Sequence, residues 1–217
     1  MAKVNLGILD GFIGKVGTVV GAFWKGKPVM RAYVRHSSSS ESRSQAIVRT
    51  RFGAIGSLSS VFLNAIRIGF GNEARRQKMT EVDVFVKQNW PQVQATAPDA
   101  VTIDYTGLSI AKGSLKGVDF GNPQFDNPLE VTVDITPNTE AIDADADDLV
   151  YLFVYCPDLV SSLLATPVTR STATVTLSVP NTWNGQRVYL WGFTVGDASF
   201  NKGKVSNSAY IGSGTIS

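Results

Sequence analysis

From Pro98 to the C-terminus, hydrophobic side chains recur at every second residue, and no other feature of this chain narrows its fold so far. Alternation of period two sends successive side chains to opposite faces of a strand. It is plainest over 129–135, 173–179 and 187–193, and further strand-like runs at 101–105, 108–112, 149–155 and 205–211 bring the count to seven. Gly, Pro, Asn and Asp fall between them, as turn-forming residues should, so the pattern predicts an antiparallel β-sandwich of immunoglobulin or fibronectin type. The single cysteine, Cys156, lies inside the apolar run 149–156. It cannot form the disulfide of antibody domains and reads as a small buried hydrophobe in a reducing compartment.

The N-terminal part has a different texture. Gly7, Gly11, Gly14, Gly17, Gly21 and Gly26 crowd a short stretch, and each would cost a helix about 1 kcal/mol relative to alanine. Extended or looped chain is expected there. Runs at 18–24 and 29–34 flank the turn-like residues 25–28 and predict a β-hairpin. A serine run at 37–40 supplies capping groups for a helix whose apolar stripe steps through Ala46, Phe52, Ile55, Leu58, Phe62, Ile66 and Phe70, with Gly53 and Gly56 expected to bend or divide it. Thr80, with Asp83 three residues on, opens a second helix that Pro91 ends. The predicted fold class is α+β, mainly β, with a hairpin-and-helix module over 1–95 and a sandwich over 96–217.

Charge divides at nearly the same place. The first 90 residues hold fourteen Lys/Arg against five Asp/Glu, the remaining 127 six against thirteen, so a net +2 conceals about +9 followed by −7. A basic surface attracts phosphates or acidic protein faces and an acidic one repels them, so the two modules should have different partners. Asp10 and Lys15 interrupt the apolar stretch 4–24. Neither a secretory signal nor a membrane span is expected, and synthesis in the cytoplasm follows.

Nothing in the chain predicts an enzyme or a cofactor. His36 is the only histidine and has no carboxylate near it in sequence, while Cys156 lacks partners for zinc. Gly14-Lys15 fails as a phosphate loop because Leu9 and Val16 stand where glycine and Ser/Thr are required. Asp143, Asp145, Asp147 and Asp148 alternate like the start of a calcium loop, yet Asp148 and Val154 occupy the positions of its Gly and Glu. A solvated acidic loop is the plain reading and a calcium site of another kind the alternative. Trp183, in the turn-rich segment 180–185, is expected to cover one end of the sandwich, with a carbohydrate platform as its alternative role.

The segment from Gly7 to Gly21, followed by Trp24, Lys25, Gly26, Lys27, Met30 and Arg31, resembles the opening of an uncharacterised family with a Gly-rich N-terminal signature, found in Bacteroidales and their bacteriophages, crAss-like phages included. Gln45, Arg49 and Phe52 are similar to that family's next signature, at the start of a helix. The resemblance implies no activity. Its phage occurrence implies a virion component of neck or tail, a ring or adaptor that meets further copies of itself and other phage structural proteins. Candidate interface residues are then Phe12, Lys15, Phe23, Trp24, Lys25, Lys27, Arg31, Arg49 and Arg51, because aromatic and Arg side chains dominate interface energies. Packing of Phe12, Phe23 and Trp24 into the module's own core is the competing role. Non-specific contact of the basic module with DNA is the alternative function.

Overall fold

The computed structural model describes residues 3–4, 12–35, 42–139, 144–197 and 201–217. His36, the serine run 37–40 and Asp143 therefore lie outside the described residues. The chain forms two compact units, Met1–Glu41 and Ser42–Ser217. The first is an antiparallel meander of β1 (Lys3–Val4), β2 (Phe12–Val16), β3 (Val19–Trp24) and β4 (Lys27–Ala32), in that spatial order. The predicted hairpin is its β3–β4 half, and the Gly-rich stretch before it supplies β2.

The second unit begins with α1 (Arg43–Val61), capped by Ser42: its hydroxyl accepts from the Gln45 amide at 3.3 Å, and the Gln45 side chain accepts from the Ser42 amide at 3.2 Å. This reciprocal pair satisfies two of the donors a helix start leaves open. α1 runs unbroken through Gly53 and Gly56, against expectation. A Cβ at either glycine would meet nothing within 4 Å, so both mark open helix surface rather than a bend. The break comes at Phe62, after which the axis turns by 82° into α2 (Leu63–Gly69). α3 (Gly71–Gln77) and α4 (Glu81–Asn89) follow, with the Thr80 hydroxyl accepting from the Asp83 amide at 3.1 Å as the spacing predicts. Pro91 ends α4 through a single 3₁₀ turn, Trp90–Gln92. No single described helix is long and apolar enough to cross a membrane.

A small hairpin of β5 (Val93–Ala97) and β6 (Ala100–Ile103) leads to the sandwich strands β7 (Asp119–Gln124), β8 (Glu130–Thr136), β9 (Leu149–Cys156), β10 (Ser161–Leu164), β11 (Val168–Thr169), β12 (Thr174–Ser178), β13 (Arg187–Val195) and β14 (Ala209–Thr215). One sheet is ordered β12-β8-β7; the other is β10-β9-β13-β14, with β11 also paired to β9, and all these pairings are antiparallel. Sequence-adjacent strands cross between sheets, β8 to β9 and β12 to β13, as in immunoglobulin-like and fibronectin-like sandwiches. The fold is thus α+β, mainly β, as the periodicity predicts.

One predicted strand is absent. Segment 108–112 is irregular because its backbone bonds to side chains and a helix end instead of a strand: the Ser109 amide to Asn89 Oδ1 at 2.7 Å, the Ile110 amide to Ser208 Oγ at 2.9 Å and the Lys112 amide to the Gly69 carbonyl at 3.1 Å.

Two cores flank the longer sheet. Between the sheets lie Val131, Val133, Val150, Leu152, Val154, Cys156, Val188 and Leu190, with Trp183 buried among them rather than exposed at a loop tip. On the opposite face Phe153, Tyr155, Trp191 and Phe193 pack against Ile55, Phe62, Phe70 and Phe85 of the helical segment. β9 is therefore buried on both sides, which explains its unbroken apolar run. The 95/96 boundary expected from the change of period falls inside the second unit, since helices and sandwich share the second of these cores.

Buried charge is confined and paired. Arg170 donates to Asp148 Oδ2 at 3.0 Å, Asn138 Oδ1 at 2.5 Å and the Lys116 carbonyl at 2.6 Å. Asp148, a member of the suspected calcium run, is thereby committed to a guanidinium, and Asp145 accepts from Asn201 at 3.1 Å. Among the described residues no three His, Cys, Asp or Glu side chains are placed to share a metal ion.

Candidate docking surface

The N-terminal sheet takes its geometry from two tight turns. Gly17, at φ 58°, opens the β2–β3 turn, and Lys25 and Gly26, at φ 49° and 78°, form the β3–β4 turn. Positive φ at the first central residue alone is the II′ requirement, and positive φ at both is that of type I′; each matches the twist of the strands it joins. These turns fix the register: Gly14 opposite Gly21 opposite Met30, and Lys15 opposite Val20 opposite Arg31.

Register assigns every side chain to a face. One face carries Phe12, Val16, Val19, Phe23, Pro28, Met30 and Ala32, without a charge. A Cβ at Gly21 would collide with the Phe12 carbonyl and come within 2.7 Å of its ring, so the glycine makes room for Phe12 on this face. Phe12 is half-buried, whereas Val16, Phe23 and Met30 are exposed, Met30 by 70%. The opposite face carries Lys15, Lys27 and Arg31 among Ile13, Val20, Ala22, Trp24, Val29 and Tyr33. The Lys15 ammonium lies 3.6 Å from the centre of the Tyr33 ring, and Trp24 is 68% exposed.

β4 is an edge strand. The Tyr33 amide donates to the Thr18 carbonyl at 2.7 Å, which fixes the alternation and turns the backbones of Pro28, Met30 and Ala32 outward. Pro28 removes one outward donor; Met30 and Ala32 keep theirs.

Seven of the nine candidate residues thus meet in one sheet: Phe12 and Phe23 on the apolar face, Lys15, Trp24, Lys27 and Arg31 on the basic face, and Lys25 in the turn. Arg49 and Arg51 belong to the second unit. Arg49 is exposed on α1, while Arg51 stacks 4.0 Å from the centre of the Trp90 ring and donates to the Trp90 carbonyl. Sequence reasoning passed over Val16, Val19, Met30 and Tyr33. The signal was present in the two-residue turns, whose register, once set, sorts every residue by face.

The second unit offers a cleft of about 420 Å³ whose lining includes Asn72, Glu73, Arg76, Lys112, Lys204 and Val205. Its carboxylate is occupied: Glu73 accepts from Arg76 at 2.6 and 2.8 Å and from Gln77 at 2.5 Å. The Arg76 hydrogen bonds hold the Glu73 carboxyl down at about 2 against the opposing effect of burial.

Residues 11–212 match a family described as a family of unknown function, DUF6266. The chain belongs to that family. The DUF6266 match reaches into both units. No match was found among curated proteins. Among solved structures, the chain is similar to the fn3 domain of the human collagen alpha-1(XX) chain, at 11% identity over 48% of this chain and 87% of that domain, with a TM-score of 0.34. The sandwich assignment of this DUF6266 chain rests on its own strand order.

Proposed function

We propose that this DUF6266 chain is a non-enzymatic structural subunit of a bacteriophage particle, a ring or adaptor of the neck or tail, made in the host cytoplasm and joined to its neighbours through the N-terminal sheet. One observation carries the docking role: a compact unit of its own displays an uncharged face of Val16, Val19, Phe23, Pro28, Met30 and Ala32. A small sheet needs a cover over its apolar face to be stable, and each Phe or Met side chain fully removed from water contributes about 1.5–3 kcal/mol. The occupant this favours is an apolar sheet of an adjoining subunit, with the outward amides of Met30 and Ala32 open to strand addition. The phage setting follows from the resemblance carried by residues 7–31, and the helix-covered sandwich serves as the rigid body that the sheet connects.

Native mass spectrometry and electron microscopy of the intact chain test this reading. A closed ring or another defined oligomer is expected at micromolar concentration. A chain that stays monomeric up to the highest attainable concentration contradicts it.

A further inference from the structure

The basic face of the N-terminal sheet has a counterpart elsewhere in the chain. On the sheet β12-β8-β7, the side chains that point away from the inter-sheet core are Asp119, Gln124, Glu130, Thr132, Asp134 and Thr136 of β7 and β8, beside Thr174, Thr176 and Ser178 of β12. None of the three strands contains a Lys or Arg. Gln124 donates to Asp134 at 3.1 Å, and the Thr132 and Thr176 hydroxyls lie 3.4 Å apart, so the face is a pre-arranged polar surface carrying three carboxylates. Among the described residues of β2, β3 and β4, the basic face of the meander carries Lys15, Lys27 and Arg31 and no acid.

The spacings also agree. Lys27 and Arg31 are four residues apart on β4, and Glu130 and Asp134 are four apart on β8. At about 3.4 Å per residue both pairs span roughly 14 Å along a strand. A third charge stands beside one member of each pair: Lys15 lies two strands across from Arg31, and Asp119 is opposite Thr136, two residues past Asp134.

We propose that the basic face of the N-terminal sheet docks, head to tail, on the acidic outer face of β7, β8 and β12 in a second copy of this chain. The proposal rests on the docking role above and names a partner for the sheet's other face. Charge complementarity selects the copy: two basic faces would set cation against cation, whereas a basic face on an acidic one sets opposite charges at matched pitch. Because donor and acceptor surfaces differ, each copy uses both, and the contact propagates into a ring when its rotation closes. Charges here fix register and speed encounter, while the exposed indole of Trp24 and the side chains of Ile13 and Val29 supply apolar area.

Charge reversal with rescue tests the pairing on the full-length chain by sedimentation velocity at low and high salt, each variant first checked by circular dichroism. Lys27→Glu with Arg31→Glu, and separately Glu130→Lys with Asp134→Lys, should each weaken self-association at least about tenfold at low salt, since like charges then face each other. Mixing the two double variants pairs each unaltered face with its partner, and combining all four changes reverses both faces at once. Both should restore association to within about threefold of the native chain. The milder Lys27→Gln with Arg31→Gln should weaken it less and reduce its salt dependence. Loss without rescue overturns the pairing. Association indifferent to all reversals also overturns it while leaving the docking role intact, because that role is read from the apolar face through Phe23→Asp. Salt-sensitive binding of a random-sequence DNA duplex, abolished by Lys27→Glu with Arg31→Glu in a chain that does not self-associate, would assign the face to nucleic acid and overturn the pairing. So would a monomer in which chemical cross-links join the two faces within one chain.

Discussion

Phe62 stands where the helical segment turns, and its ring is fully buried against Phe153, Tyr155, Trp191 and Phe85 at centroid separations of 4.7, 4.9, 5.8 and 5.9 Å. Replacing it with alanine should cost about 3–5 kcal/mol, because the lost contacts come from both the helices and the sheet and the hole cannot easily collapse. Urea denaturation followed by tryptophan fluorescence measures this as a lower midpoint. Glu73 gives a pH prediction with a definite sign. Its folded pKa of about 2 lies below the ordinary 4.5, so its contribution to stability is complete above about pH 4.5 and is lost as pH falls through 2. Native and Glu73→Gln proteins should therefore differ most in melting temperature near neutrality, and the gap should close toward about pH 2. A constant gap across the series would show that the Arg76 pairing does not set this dependence. At this scale the sequence was only partly legible. Phe62 fell on the predicted apolar stripe, since helical spacing fixes which side chains point inward. Arg51 reads from sequence as an interface candidate because nothing local to it announces Trp90, 39 residues away, as the partner of its guanidinium.

The strands buried on one or both faces were the easiest elements to read. β8 and β12 alternate because one side meets the inter-sheet core, whereas β9 and β13 are largely apolar because helices cover their other side. β7 went unread, since its Gly121, Asn122 and Pro123 carry turn chemistry and its pairing with β8 is interrupted between Phe120 and Pro123. Segment 108–112 failed in the opposite sense: alternation was present, but side-chain acceptors from Asn89 and Ser208 took the place of a partner strand. In the N-terminal sheet, the β3–β4 turn places Lys25 in the left-handed region, which asparagine tolerates better than lysine. Lys25→Asn should stabilise the hairpin by about 0.5–1 kcal/mol, and Gly26→Ala should destabilise it by at least as much. Amide hydrogen exchange of β3 and β4 reads both, with protection rising in the first variant and falling in the second.

At the scale of the molecule, both hydrophobic clusters belong to Ser42–Ser217, while the meander keeps much of its apolar area exposed. A chain starting at Ser42 should thus retain a single cooperative thermal transition, with a melting temperature within a few degrees of the intact protein. Loss of cooperativity on truncation would mean that the meander completes the core. Charge and period both change where the chain passes from helices to strands, but the compact units divide at Glu41/Ser42, because helices and sandwich share a core. The docking role of the N-terminal sheet is tested most directly by sedimentation velocity of the intact chain beside a Phe23→Asp, Met30→Asp variant across a concentration series. The native chain should form a defined oligomer, and the folded variant should sediment as a smaller species. Equal oligomerisation of the two would contradict the claim that the apolar face of this sheet joins one subunit to the next.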